Sequence, residues 1–350
     1  MVFTYNWNLT DLKNVRSNNL KAFTTFSCGG GADMGLMMAG YKCLGGCEID
    51  KNILKFYNAN FNHKYIYNDD IRDFVVKARN KQLPQELYEL DLLHQSPPCS
   101  TFSMSGLREK SWGVEKVFHE GQKKQRLDDL FFEAIELVNQ LRPKVATFEN
   151  VEGLIKGNAK IYFNKIIEDL TKIGYITQAF IIDGSTLGLP QRRRRLFFIA
   201  QRQDFFKKKL QLNFNEQAIP FYKIRDDSCK ECIEISHKAF QYYINKKKDD
   251  FVLSQSCKRN TGKTSWFNYK IIDNKDVLST ICTDACSSFF LKDVCRCINK
   301  QELLLASSFP QDYNFLNAKL SKVCWLLGMC IPPLMMYKIS KEIEKQLFNK

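Results

Sequence analysis

The sequence contains no run of eighteen apolar residues, which excludes an ordinary membrane span on that criterion. Residues 1–20 are rich in asparagine, carry Asp11 and lack the apolar centre of a secretory signal. Acidic residues are in deficit: 38 Asp and Glu against 52 Lys and Arg leave a net charge of +14 and a pI near 9.1. Such a balance argues for a polyanionic partner, nucleic acid before membrane surface. The one glycine-rich loop lacks a phosphate-binding lysine and does not match G-x-G-x-x-G, so a nucleoside-triphosphate loop is not supported. Internal repeats and familiar DNA-reading helices are missing too. The 13 cysteines are scattered through a large chain without a secretory signal, so reduced thiols in a cytosol are expected. Neither Cys229 with Cys232 nor Cys282, Cys286, Cys295 and Cys297 has zinc-finger spacing, and no metal is expected.

What is present describes a globular chain. With 350 residues and 44% hydrophobic content there is core enough for one large domain and a smaller one. Ala22–Phe26 reads as a short strand. Ser27-Cys28-Gly29-Gly30-Gly31 follows it, and Met34, Leu36, Met37 and Met38 then begin a helical pattern. Strand, glycine loop and helix let backbone approach a ligand closely. A second strand, Lys42 to Cys47, ends in Glu48, an acid placed to hydrogen-bond ribose hydroxyls. A third, Tyr65 to Tyr67, precedes Asp70, which is suited to an adenine amino group.

The apolar run Leu90–His94 leads into Gln95-Ser96-Pro97-Pro98-Cys99-Ser100. Two prolines cannot continue a strand, so the chain must turn at the strand's carboxyl end and present Cys99 there. That edge is where ligands bind in open α/β sheets, and Cys99 is the candidate nucleophile. A polar segment runs on to Arg126, with Lys110, Lys116, Lys123, Lys124 and Arg126 suited to phosphates or to a solvated loop. Asp129–Leu141 is an amphipathic helix with Leu130, Ala134, Ile135, Val138 and Leu141 on one stripe. Lys144–Phe148 then forms a strand delivering Glu149-Asn150-Val151, near Cys99 if the two strands are neighbours. The arginine run 192–195 enters the apolar strand Leu196–Ala200, and alternation places Arg193 and Arg195 on one side. Two guanidiniums at a buried strand start suggest directed recognition. From about Gln201 basic clusters alternate with aromatics such as Tyr242, Tyr243, Trp266, Phe267 and Tyr269, suiting nucleic-acid contact or a core.

Phe26-Ser27-Cys28-Gly29-Gly30-Gly31 resembles the cofactor loop of cytosine-5 DNA methyltransferases, and Ser96-Pro97-Pro98-Cys99 resembles their nucleophile loop. Glu149-Asn150-Val151 is similar to the second catalytic motif, and Gln191, Arg193 and Arg195 to the Gln-x-Arg-x-Arg motif. Ser279-Thr280-Ile281 resembles the segment that braces the recognition domain, and Gln301–Pro310 the motif after it. The chain departs from the pattern at Cys28, where glycine is usual, and at Gly328-Met329-Cys330-Ile331, where Gly-Asn-Ser-Val is usual. The resemblance implies a doubly wound, mostly parallel α/β sheet of Rossmann-like methyltransferase type with a smaller target-recognition domain. Residues 1–201 would bind cofactor and catalyse, 202–295 would recognise the target, and 296–350 would return to the first domain. Phe26, Ser27, Cys28, Gly29, Gly30, Gly31, Glu48, Ile49, Asp70, Ile71, Pro98 and Cys330 would line an S-adenosylmethionine site. Cys99, Glu149, Arg193 and Arg195 would act on a flipped cytosine of duplex DNA. The implied protein is a cytoplasmic monomer, nucleoid-associated if bacterial or phage, whose candidate partners include a cognate restriction enzyme acting on the same site. The same chemistry on transfer RNA, and a catalytically dead DNA-binding module, are the alternatives.

Overall fold

The computed structural model describes residues 2–98, 130–228, 231–232, 235–263, 265, 269–283 and 288–349. Cys99, Lys110, Lys116, Lys123, Lys124, Arg126, Cys229, Trp266, Phe267 and Cys286 lie outside them. The chain divides into two compact units. The sheet unit comprises Leu12–Asp183, Arg194–Asn213 and Met336–Lys350; the second unit comprises Met1–Asp11, Gly184–Arg193 and Phe214–Met335.

In the sheet unit lie β1 (Lys21–Thr25), β2 (Lys42–Cys47), β3 (Tyr65–Tyr67), β4 (Leu92–Gln95), β5 (Val145–Val151), β6 (Tyr175–Asp183) and β8 (Arg194–Arg202). They form one seven-stranded sheet in the order β3-β2-β1-β4-β5-β8-β6. β1 to β5 pair in parallel, and β8 alone runs against its neighbours β5 and β6. This is the doubly wound, mostly parallel sheet expected from the sequence. Its order reverses between β1 and β4, which opens a crevice at their carboxyl ends. The helices are α1 (Gly31–Met38), α2 (Lys51–Asn60), α3 (Ile71–Arg79), α4 (Leu130–Leu141) and α5 (Lys160–Lys172). α2 and α3 start where Asp50 and Asp70 accept backbone N–H groups of the first turn.

Alternation along β1, β4 and β5 sorts their side chains into two rows. Phe23, Leu93 and Ala146 are cross-strand neighbours and pack with Phe74, Val138 and Leu170 from the helices. On the opposite face the neighbours are Thr24, His94 and Thr147, a polar row that is entirely buried. β5 runs past Phe148 to Val151 because β8 pairs with it that far, Val151 lying opposite Arg195. Glu149 therefore sits within the strand and not after it.

The second unit contains β7 (Gln191–Arg192), paired in parallel with β10 (Leu278–Ser279), and β9 (Lys270–Ile272), paired with β11 (Phe289–Leu291). Its helices are α6 (His237–Ile244), α7 (Leu253–Thr261), α8 (Lys300–Ala306) and α9 (Leu320–Met329). Tyr243, Leu253, Ile271 and Phe290 form a small core. α10 (Pro333–Ile343) follows a break at 330–332, where Pro332 and Pro333 cannot extend α9. By length and composition Leu320–Phe348 could cross a membrane, a signal that the criterion of an unbroken apolar run misses. Most of that window, 78%, is buried within the protein, which marks it as core. Cys43, Cys47, Cys257, Cys282 and Cys295 are free thiols. Cys232 is disulfide-bonded, against expectation.

One buried ion pair organises the start of α8. Asn299 and Glu302 cap each other reciprocally, and Glu302 also accepts from both terminal nitrogens of Arg296 at 2.8 and 2.7 Å. Glu302 is fully buried, so removing its carboxylate leaves the guanidinium with two backbone carbonyls and the exposed Asp227 at 3.5 Å. Glu302→Ala should cost about 3–5 kcal/mol of stability, read from denaturant titration against wild type.

Candidate active site

The carboxyl ends of β1, β4 and β5 bring the sheet unit's candidate residues to one edge. After β1 the chain enters the loop Phe26–Gly30, where Phe26, Cys28 and Gly30 all have positive φ. At Gly30 the left-handed backbone coincides with close packing: a Cβ there would lie 2.2 Å from the Phe61 ring. Ser27 donates to the Cys47 carbonyl and shares a hydrogen bond with Thr24. Gly46 makes room for that pair, since a Cβ would fall 2.2 Å from Ser27 Oγ.

Glu48, at the end of β2, is nearly buried and accepts the Cys28 N–H on Oε2 and the Asp50 N–H on Oε1, each at 2.9 Å. Burial raises its pKa, and these two donors oppose the rise. Asn68, which the sequence reading missed, donates to the carbonyls of Glu48 and Ile49 and holds this turn to the end of β3. Asp70 caps α3 through the Arg72 N–H, and Ile71 is buried behind it.

Between β4 and β5 the geometry is tighter. His94 is buried, with Nδ1 2.9 Å from Thr147 Oγ1 and Nε2 3.0 Å from Ser96 Oγ. Burial pushes its pKa down to about 3, so the ring is neutral. The imidazole thus ties the start of the Ser96-Pro97-Pro98 turn to β5. Asn150 adds a second tie, donating to the Pro97 carbonyl at 3.3 Å. Glu149 Oε1 lies 2.9 Å from Arg195 Nε, both side chains mostly buried. The pair is diagonal across β5 and β8, since Glu149 faces Phe197 and Arg195 faces Val151. Cys99, three residues beyond Ser96, lies outside the described residues.

Arg193 and Arg195 do not share a strand face as alternation implied. The strand breaks at Arg193, between β7 and β8, and the unit boundary falls there. Arg193 is buried in the second unit, donating to the carbonyls of Ile281, Gly328 and Cys330. Gln191 holds the same segment, donating to Ala306 and accepting from the Ile281 N–H. These two side chains of the Gln-x-Arg-x-Arg motif fix Ser279–Ile281 and the end of α9. Cys330 offers its carbonyl to Arg193, while Met329 is half exposed.

A family model described as C-5 cytosine-specific DNA methylase matches residues 20–345. The type II methyltransferase M1.HphI of Haemophilus parahaemolyticus is 23% identical over 93% of this chain and 87% of its own length. Among solved structures, a prophage-encoded Escherichia coli protein described as a DNA modification methyltransferase superposes with a TM-score of 0.66 at 17% identity. The match covers 95% of this chain and 100% of that one. DNMT2 of Spodoptera frugiperda, in mutant form, gives 0.61 at 18% identity over 95% of this chain and 100% of its own. At these identities the two structures show a shared fold.

The His94 environment predicts a pH dependence. Its folded pKa near 3 lies below the unfolded value near 6.5, so between them the unfolded chain binds the extra proton. The stabilisation of the neutral ring is complete above pH 6.5 and is lost as the pH falls toward 3. From pH 7.5 to 5.5 this one group should cost about 1.4 kcal/mol. Asp33 and Glu48, whose pKa values burial raises, act with the opposite sign, so the variant comparison isolates His94. Urea unfolding of His94→Gln should show that much less loss between the two pH values than wild type.

Proposed function

This chain belongs to the C-5 cytosine-specific DNA methylase family, and from that premise we propose that it moves a methyl group from S-adenosylmethionine to C5 of a flipped-out cytosine in duplex DNA. The observation that carries the proposal is the Glu149–Arg195 pair on β5 and β8, beside the β4 end that continues into Ser96-Pro97-Pro98-Cys99.

The residues at the β1–β4 crevice fit the cofactor. Glu48 spends one acceptor site of each oxygen on backbone, and a carboxylate offers about four, which leaves capacity for two ribose hydroxyls. Asp70 is similarly placed for an adenine amino group, with Phe26, Ile49, Ile71 and Pro98 as apolar walls and the backbone of Ser27 to Gly31 as the floor. Bound there, S-adenosylmethionine supplies an electrophilic sulfonium methyl. Cytosine C5 is a poor nucleophile until the Cys99 thiolate adds to C6 and pushes electron density toward C5. Glu149 holds a proton at N3, which favours that addition, and Arg195 binds the O2 edge beside it. Loss of the C5 proton to a base then expels Cys99. Stacked cytosine cannot meet these groups, so the base must leave the duplex. Residues 202–295, with their basic clusters, are proposed to read the target.

Duplex carrying 5-fluorocytosine tests the chemistry, because fluorine cannot leave as a proton does. With cofactor present it should form a complex that survives denaturing electrophoresis. Cys99→Ser should abolish the complex and Cys28→Ser should not. An adduct mapping to another cysteine overturns the site. Glu149→Gln should slow turnover by about 10²–10⁴-fold, the usual contribution of a positioned acid. Calorimetry should show Glu48→Ala weakening cofactor binding by about 1–3 kcal/mol. Tritium transfer confined to transfer RNA would rule out the duplex substrate.

A further inference from the structure

Asp33 in α1, Cys43 in β2 and His63 before β3 have no metal-ligand spacing in the sequence. The fold nevertheless brings Asp33 Oδ1, Cys43 Sγ and His63 Nε2 within 4.8 Å of one another, the one such group among the described residues. Cys43 Sγ lies 3.2 Å from Asp33 Oδ1, and His63 Nε2 lies 3.9 Å from the same oxygen. Asp33 is fully buried and the His63 side chain only 7% exposed.

His63 Nε2 is the informative atom. It is buried and makes no hydrogen bond, and 3.9 Å is too long for one. The other side of the ring bonds the backbone of Cys43. Nε2 therefore faces the Asp33 carboxylate oxygen across 3.9 Å with no hydrogen bond of its own. A buried nitrogen left without a partner is unfavourable, and a cation between it and the carboxylate would satisfy both.

We propose that Asp33, Cys43 and His63 bind a zinc ion. Tetrahedral zinc, with bonds of about 2.0 Å to nitrogen and oxygen and 2.3 Å to sulfur, sets its ligand atoms roughly 3.3–3.6 Å apart. The two measured separations bracket that range, so small side-chain shifts suffice. One sulfur, one nitrogen and one oxygen are donors that zinc accepts, and three protein ligands leave the fourth position to water. The surroundings are those of a supported site. Tyr57 Oη donates to Asp33 Oδ1 at 2.6 Å and Thr24 Oγ1 to Oδ2 at 3.0 Å, while the His63 ring is oriented by backbone. Binding exchanges the Cys43 thiol proton for the metal and releases it to solvent. Thr24 also bonds Ser27, so the ion would brace α1, β2 and the approach to β3 directly behind the glycine loop. The site is separate from the groups proposed to act on cytosine.

The full-length chain, purified without a histidine tag or chelator, should carry about one zinc per molecule by plasma mass spectrometry. X-ray absorption at the zinc edge should show one sulfur beside nitrogen and oxygen neighbours. Cys43→Ala and His63→Ala should each lower the zinc content at least tenfold, and Cys47→Ala should leave it unchanged. Should the first two variants fail to fold, the wild-type absorption spectrum still decides. Metal-free wild type that takes up no zinc on dialysis overturns the proposal, as does a shell of several sulfurs. Full zinc content in folded Cys43→Ala overturns it as well.

Discussion

A neutral imidazole sealed between two parallel strands sets the geometry of the sheet's carboxyl edge. His94 has no water to bond, so its two nitrogens must find protein partners, and they find Ser96 after its own strand and Thr147 on the next. Each hydroxyl can turn to donate or accept, so either tautomer of the ring is satisfied. Because β4 and β5 are in parallel register, fixing Ser96 against Thr147 also fixes the neighbouring Pro97-Pro98 turn and Glu149. Asn150 repeats the constraint one step further along. The turn is held by two buried ties and does not depend on the stiffness of its prolines alone.

The antiparallel strand contributes from the other direction. A parallel strand presents its last residues at the carboxyl edge of the sheet, whereas β8 presents its first, and these are arginines. Arg195 therefore reaches Glu149 across the diagonal of one strand pair. Two residues earlier in the chain, Arg193 serves a different purpose, closing the second unit around the carbonyls at the end of α9. One short motif thus supplies internal cohesion with Gln191 and Arg193, and sets Arg195 against Glu149 at the carboxyl edge of β5.

Much of this was legible in the sequence, and the exceptions have physical causes. β2 and β3 follow from short β-rich runs, and α4 from its apolar stripe, because local pattern and burial agree there. The length of β5 was not legible, since its last residues are strand only by pairing with β8, far away in sequence. The face shared by Arg193 and Arg195 was misread because alternation assumes an unbroken strand. His94 was visible as part of a buried run, but its partners depend on register. Asp33, Cys43 and His63 were illegible as a group, because only the packing of α1 against β2 and the approach to β3 gathers them. The turn Ser96-Pro97-Pro98 is read from its motif, and its ties to β5 through His94 and Asn150 are read from the fold.

The sheet unit is assembled from three separated stretches, and the last of them begins only at Met336. That stretch buries Ile339, Ser340, Ile343 and Leu347, and the carbonyl of Ser340 accepts the hydroxyl of Tyr41 near the start of the unit. During synthesis, the glycine loop and the strands carrying Glu149 and Arg195 emerge long before the helix that completes their layer. The ribosome must therefore carry an unfinished sheet, with one apolar surface uncovered, while Phe214–Met335 of the second unit are translated. Chaperone occupancy of the nascent chain, and the cost of early termination, are consequently set by where α10 falls in the order of translation.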